Sequence, residues 1–237
     1  MKLIYIIVKF IVSYELSSVR YFGGNDMIDQ FNSMSELLSH TTEGIDWEIS
    51  TRQMKHPVII TAVHGGAIER GTTEIAQSIS EKGNYSFYTF KGVRKNKNNK
   101  LHVTSRHFDE PKLLEMIKNH RYTISVHGCM GDTPEVYIGG KDKSLIKHIK
   151  KRLSEIDIIV KDAPAHISGM HDDNFVNCNQ NKAGVQLELT AKLRKSFFKN
   201  KKYNLYDREN RDNWSSTMSE FTEAIILAMN FYQQGFN

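Results

Sequence analysis

Apolar and polar positions fall into alternating blocks along the chain. Val58, Ile59, Ile60, Ala62 and Val63 form a nearly unbroken run of strand-forming residues, the pattern of a strand covered on both faces. Before it, the alternation of Ile45, Trp47 and Ile49 predicts a half-buried strand. Further strands are expected at residues 85–90 (YSFYTF), 122–126 (YTISV), 136–138, 156–160 and 185–189. Helices fall between them. Thr72 or Thr73 is placed to N-cap a helix running through Glu74, Ile75, Ile79 and Glu81. Pro111 opens another that contains Leu113, Leu114 and Ile117. Residues 142–154 have the spacing of an amphipathic surface helix, and residues 214–232 that of a long closing helix. Strands alternating with helices predict an α/β fold, a three-layer α/β/α sandwich around a mixed, mostly parallel sheet.

The length of 237 residues suits one domain with a sizeable core. The four prolines are scattered, and no Gly/Ser-rich stretch separates two folding units. The apolar run at residues 3–12 (LIYIIVKFIV) is interrupted by Lys9 and is too short to span a bilayer. As a secretory signal it has Lys2 for an n-region but lacks a nearby small-x-small cleavage site. An extra strand, or a leader upstream of a true start at Met27, are the other readings. Residues 1–26 are therefore set aside as a leader or poorly ordered segment, and residues 27–237 are expected to form a single catalytic domain.

The net charge of +5 points to affinity for polyanions and leaves nucleic acid, anionic membrane and acidic polymer open. Two cysteines, Cys129 and Cys178, make no disulfide framework, although a single disulfide stays open. A reducing compartment fits this usage.

The candidate chemistry lies at strand ends. His64 ends the apolar run, Gly65 and Gly66 allow a sharp turn, and Glu69 follows on the connecting loop. The 122–126 strand ends the same way, in His127 and Gly128. In open α/β sheets the crevice beyond the carboxyl ends of the strands is where ligands bind. Two histidines and a carboxylate are a ligand set that catalytic zinc accepts, with one position left for water. The spacing of His64 and Glu69 fits a loop and excludes a His-Glu-x-x-His helix. Gln186, Glu188 and Thr190 share one face of their strand, so Glu188 would reach the cleft from the opposite wall; a solvent-facing glutamate fits the same pattern.

Other polar residues carry plainer readings. His102, His107, His166 and His171 read as structural or exposed. Cys129 reads as a small buried residue before it reads as a nucleophile. The loop carrying Arg94, Lys95, Lys97 and Lys100 is either a solvated surface loop or a strip that steers an acidic polymer. Helix-turn-helix signatures, RNA-binding aromatic pairs and zinc-finger spacings do not occur.

The segments AVHGGAIERGTTEIA, LHVTSRHFDEP, SVHGC, YIGG and GVQLELTAKLR, with FNSMSELLSHTTEGIDWEI before them, resemble the poly-γ-glutamate hydrolase family from about Phe31 onward. These are zinc enzymes of bacteria and their phages. The resemblance implies a zinc-carboxypeptidase-like α/β core and hydrolysis of γ-glutamyl amide bonds. It assigns one zinc per chain to His64, Glu69 and His127, general acid/base work to Glu188, and substrate binding to Arg194; Asn177 lies in a segment similar to the family's, and Arg106 is the second choice for an arginine that holds a substrate carboxylate or the oxyanion. Arg70, Arg106 and Cys178 depart from the family pattern, which leaves substrate recognition less defined than metal binding. By the same analogy the chain would be a phage or prophage capsule depolymerase and a monomer. It would be made in the cytoplasm and act on an anionic polyglutamate after release or lysis, with no membrane span and no obligate nucleic acid. Two alternatives stay open: a zinc peptidase acting on other γ-glutamyl or cell-wall peptides, and a non-catalytic nucleic-acid-binding phage replication accessory protein.

Overall fold

The computed structural model describes residues 29–199 and 202–235, so the expected leader at residues 1–26 lies outside the described residues. Among the described residues, seven strands form one sheet: β1 (Trp47–Arg52), β2 (Val58–Gly66), β3 (Ser86–Gly92), β4 (Tyr122–Cys129), β5 (Glu135–Gly140), β6 (Ile159–Asp162) and β7 (Val185–Thr190). Their spatial order is β1-β3-β2-β4-β7-β5-β6. The central strands β3, β2, β4 and β7 run parallel, while β1 and β5 pair antiparallel to β3 and β7. This is the mixed, mostly parallel sheet that the sequence predicts.

Seven α-helices are described: α1 (Met34–His40), α2 (Thr72–Lys82), α3 (Pro111–Lys118), α4 (Lys143–Ser154), α5 (Ala191–Ser196), α6 (Leu205–Glu209) and α7 (Ser216–Gln234). They cover both faces, and alternation along β2 divides the core. Val58, Ile60 and Ala62 pack with Ile75 and Ile79 of α2, Ile149 of α4 and Phe221 of α7. Ile59 and Val63 pack on the other side with Leu37 of α1 and Leu113 and Ile117 of α3. All nine β2 residues are buried, as its near-continuous apolar run requires.

Several boundaries differ from the sequence expectation for local reasons. Ile45 is exposed in the turn before β1, because the chain does not become extended until Trp47. Helix α2 begins at Thr72 itself: Gly71, at φ +95°, takes the N-cap position, and Thr72 and Thr73 are its first residues. Thr73 Oγ1 is instead within hydrogen-bonding distance of Gly66 N and Thr89 Oγ1. The expected 156–160 strand starts later, at Ile159, because Asp157 turns the chain in the left-handed region at φ +57°. Pro111 opens α3 as expected, behind a Glu110 cap, while Asp142, expected inside its helix, caps α4 from one residue before it.

Candidate metal centre

The register of β2 against β3 shifts between Ala62 and Gly65, where His64 sits. Such irregularities re-aim a side chain at the rim of a sheet. Gly65 and Gly66 are required beyond it: a Cβ on Gly65 would lie 2.1 Å from Thr73 Oγ1, and Gly66 adopts φ +63°. The turn brings Glu69 back over the strand end, where its amide donates to the His64 carbonyl at 2.8 Å. His127 lies within β4, which continues past the expected Val126 to Cys129.

These three side chains converge. His64 Nδ1 is 3.1 Å from Glu69 Oε1 and 3.2 Å from His127 Nδ1. His127 Nδ1 is 3.8 Å from Glu69 Oε2, and one ligand atom from each residue lies within 4.8 Å of the others. The outer ring nitrogens are held from behind. His64 Nε2 faces the Val103 carbonyl at 2.9 Å; that oxygen can only accept, so Nε2 carries a proton and Nδ1 is the atom turned to the centre. His127 Nε2 is likewise engaged, by Ser125 Oγ at 2.8 Å. Glu69 Oε2 accepts from Gly128 N at 2.7 Å.

The electrostatics favour one positive charge here. Burial pushes Glu69 up, but the adjacent His64 outweighs it and the carboxyl is pulled down to about 2. Burial pushes both histidines down; the Glu69 carboxylate reverses this for His64, whereas His127 falls to about 3. The pocket therefore holds a carboxylate and inward-facing imidazole nitrogens that cannot both be protonated. A divalent cation coordinated by His64, Glu69 and His127 fits this donor set, and the outer hydrogen bonds are those that orient metal-ligating histidines.

Glu188 is buried and lies beside His127, its register partner on β7. It thus reaches the site from the adjacent strand of the same sheet, not from an opposite wall. Burial and then the Glu69 charge hold it well above the ordinary carboxylate range, and Gln186 Nε2 donates to its Oε1 at 2.9 Å. A buried carboxyl with a raised pKa beside a ligand cluster is a candidate proton carrier.

Arg194 lies against the same strand ends. A Cβ on Gly128 would come within 2.5 Å of its Cζ. Its guanidinium is largely committed to backbone, with Nε donating to Leu189 O at 3.0 Å, Nη1 to Arg70 O at 2.6 Å and Nη2 to Cys129 O at 3.0 Å. The other residues expected to touch substrate have local partners. Arg106 makes a two-pronged surface ion pair with Asp173. Asn177 is buried; its amide nitrogen donates to Gly169 O and His171 O, and its oxygen accepts from Gly184 N.

Cys129 and Cys178 are free thiols, and burial followed by the Glu188 charge pushes Cys129 up to about 12, away from a nucleophilic thiolate. His107, His166 and His171 are exposed, as expected. His102 is structural, and it lies against the cluster: its ring is 4.0 Å from that of His64 between centroids, and Nε2 is 3.9 Å from Glu69 Oε1. No spacing rule connects it to the ligands. In the basic loop Arg94 pairs with Asp46, while Lys95, Lys97 and Lys100 are exposed on the approach to His102.

The sequence profile described as poly-gamma-glutamate hydrolase matches residues 31–224. The chain belongs to this hydrolase family. It is similar to a solved bacteriophage poly-gamma-glutamate hydrolase, with 30% identity and a TM-score of 0.84 over 89% of this chain and 100% of that one. A solved zinc-free apo form of YNDL is also similar, at 30% identity and a TM-score of 0.79, covering 86% and 98% of the two chains. The UPF0714 protein YndL of Bacillus subtilis (strain 168) is 31% identical over 201 residues, which is 83% of this chain and 75% of that protein. Among the described residues, no helix is long and apolar enough to cross a membrane.

Proposed function

We propose that this chain is a zinc-dependent hydrolase that cleaves γ-glutamyl amide bonds of poly-γ-glutamate. One observation carries the reading: two imidazole Nδ1 atoms and a carboxylate converge at a strand end, with the buried Glu188 one strand away from His127. Family membership adds the substrate class, and the similarity to a bacteriophage enzyme supports a phage setting in which a glutamate polymer is depolymerised.

In this mechanism His64, Glu69 and His127 would hold one zinc, with Val103 O and Ser125 Oγ fixing the imidazole rings. When bound, zinc supplies an acidified water, with its pKa lowered to about 7, and polarises the scissile carbonyl. Glu188 would carry a proton at its carboxylate between the attacking water and the leaving amine, a role suited to its raised pKa. Arg194 holds the Leu189, Cys129 and Arg70 carbonyls in place and contributes a fixed positive charge beside the carboxyls. Exposed Lys95, Lys97, Lys100 and Arg70 draw an acidic polymer toward the cleft.

A panel of matched α- and γ-linked glutamyl oligomers, assayed for amine release after zinc loading, tests the proposal. Cleavage restricted to γ-linked glutamyl chains is the expected result. Preferential cleavage of α-linked or cell-wall peptides would assign the site to a different peptidase activity, and salt-sensitive nucleic-acid binding without bound metal would remove the enzymatic reading.

A further inference from the structure

His64 is oriented from behind by a single carbonyl, that of Val103, at 2.9 Å. Val103 belongs to neither helix nor strand; it lies between the 3-10 turns Asn98–Leu101 and Ser105–His107. A loop carbonyl that sets a ligand ring needs its own anchor, and one carboxylate provides it on both sides of Val103. Asp29 Oδ1 accepts from His102 Nδ1 at 2.5 Å, and Asp29 Oδ2 accepts from Thr104 N at 2.6 Å. The bond at Nδ1 also fixes the His102 ring, which lies against His64 and turns Nε2 toward Glu69. Asp29 stands just before the residues matched by the family profile, in the segment leading to α1.

We propose that Asp29 is a positioning residue for the metal centre, straddling Val103 through His102 and Thr104 so that the Val103 carbonyl and the His102 ring fix His64 for coordination. This rests on the reading of His64, Glu69 and His127 as metal ligands. Leu101 and Val103 are fully buried in the core, so the loop retains its hydrophobic anchors without Asp29. Loss of the carboxylate therefore affects the placement of the carbonyl more than the fold.

The test uses the full chain as wild type, Asp29→Ala, Asp29→Asn and Asp29→Glu. Zinc affinity is measured by competition with a chromophoric chelator, the visible spectrum is recorded after cobalt substitution, and thermal unfolding is followed without metal. Orienting partners of metal-bound histidines are worth about 10- to 100-fold in metal affinity. Asp29→Ala is expected to lose that much and to shift the cobalt spectrum, with metal-free melting close to wild type and partial recovery in Asp29→Glu. Should the alanine variant fail to fold, the nearly isosteric Asp29→Asn decides on the same readings. Wild-type affinity and an unchanged cobalt spectrum in both variants would overturn the inference alone. A wild type that binds no metal would overturn the ligand reading together with it.

Discussion

His127 of β4 and Glu188 of β7 are register partners on neighbouring parallel strands. A proposed metal ligand and a buried acid thus occupy one rung of the sheet, roughly a strand spacing of 4.8 Å apart. This separates the roles of two adjacent residues. Glu188→Gln is expected to retain zinc and to lose about 10²- to 10⁴-fold in turnover, the range for removal of a general acid or base. Metal analysis beside kcat checks both halves. Loss of zinc from this variant would make Glu188 a ligand, and undiminished turnover would leave the site without its proton carrier.

The inward-facing Nδ1 atoms of His64 and His127 beside the Glu69 carboxylate predict that metal stabilises the fold. Zinc at about 100 times its dissociation constant should add about 2.7 kcal/mol by mass action. Thermal unfolding with and without zinc measures this, and His127→Ala should abolish the rise in Tm because it removes one of the three proposed ligands.

Arg194 has a structural duty that its expected substrate role does not require. Its guanidinium holds three backbone carbonyls from within a buried position. Leaving a buried acceptor unsatisfied costs about 1–3 kcal/mol. Arg194→Lys cannot reproduce the fork and should lower the urea midpoint along with activity. A variant with wild-type stability and raised KM alone would place the guanidinium on substrate instead.

Arg208 links the turn after β2 to the chain's last third. It is fully buried, pairs with Glu74 at 3.1 Å and donates to Gly66 O and Tyr203 O. Breaking a buried pair from one side costs about 3–5 kcal/mol. Arg208→Met should therefore destabilise the protein by that order in urea unfolding, although Arg208 touches none of the proposed metal ligands.

Lys95, Lys97 and Lys100 are exposed, so any steering effect should be screened by salt. Neutralising all three is expected to lower kcat/KM on poly-γ-glutamate at low ionic strength and to converge on wild type at high salt. An unchanged salt dependence would make the loop a solvated surface.

Much of this arrangement was legible in the residues. The continuous apolar run of β2 announced a strand buried on both faces, and two strands ending in His-Gly announced a shared mouth for His64 and His127. Period-two alternation put Glu188 on one face of its strand but left a solvent-facing reading open, and its role came from the resemblance. What remained hidden depends on tertiary approach. His102 lies 38 positions beyond His64 in a segment without regular structure, and Asp29 reaches it across 73 positions. No local pattern encodes such a pairing. Helix α2 started at Thr72 because Gly71 could enter the left-handed region, which left Thr73 free to tie the turn to β3. Asn177 was singled out by resemblance and Arg106 as a second-choice arginine, but their loop partners could be seen only in the fold.

The most direct test is the chain-length distribution of poly-γ-glutamate after incubation with the zinc-loaded protein, measured by size-exclusion chromatography. A shift to shorter chains is the expected result with the wild type, and no shift with Glu188→Gln. An unshortened polymer in the presence of fully zinc-loaded wild type would contradict it.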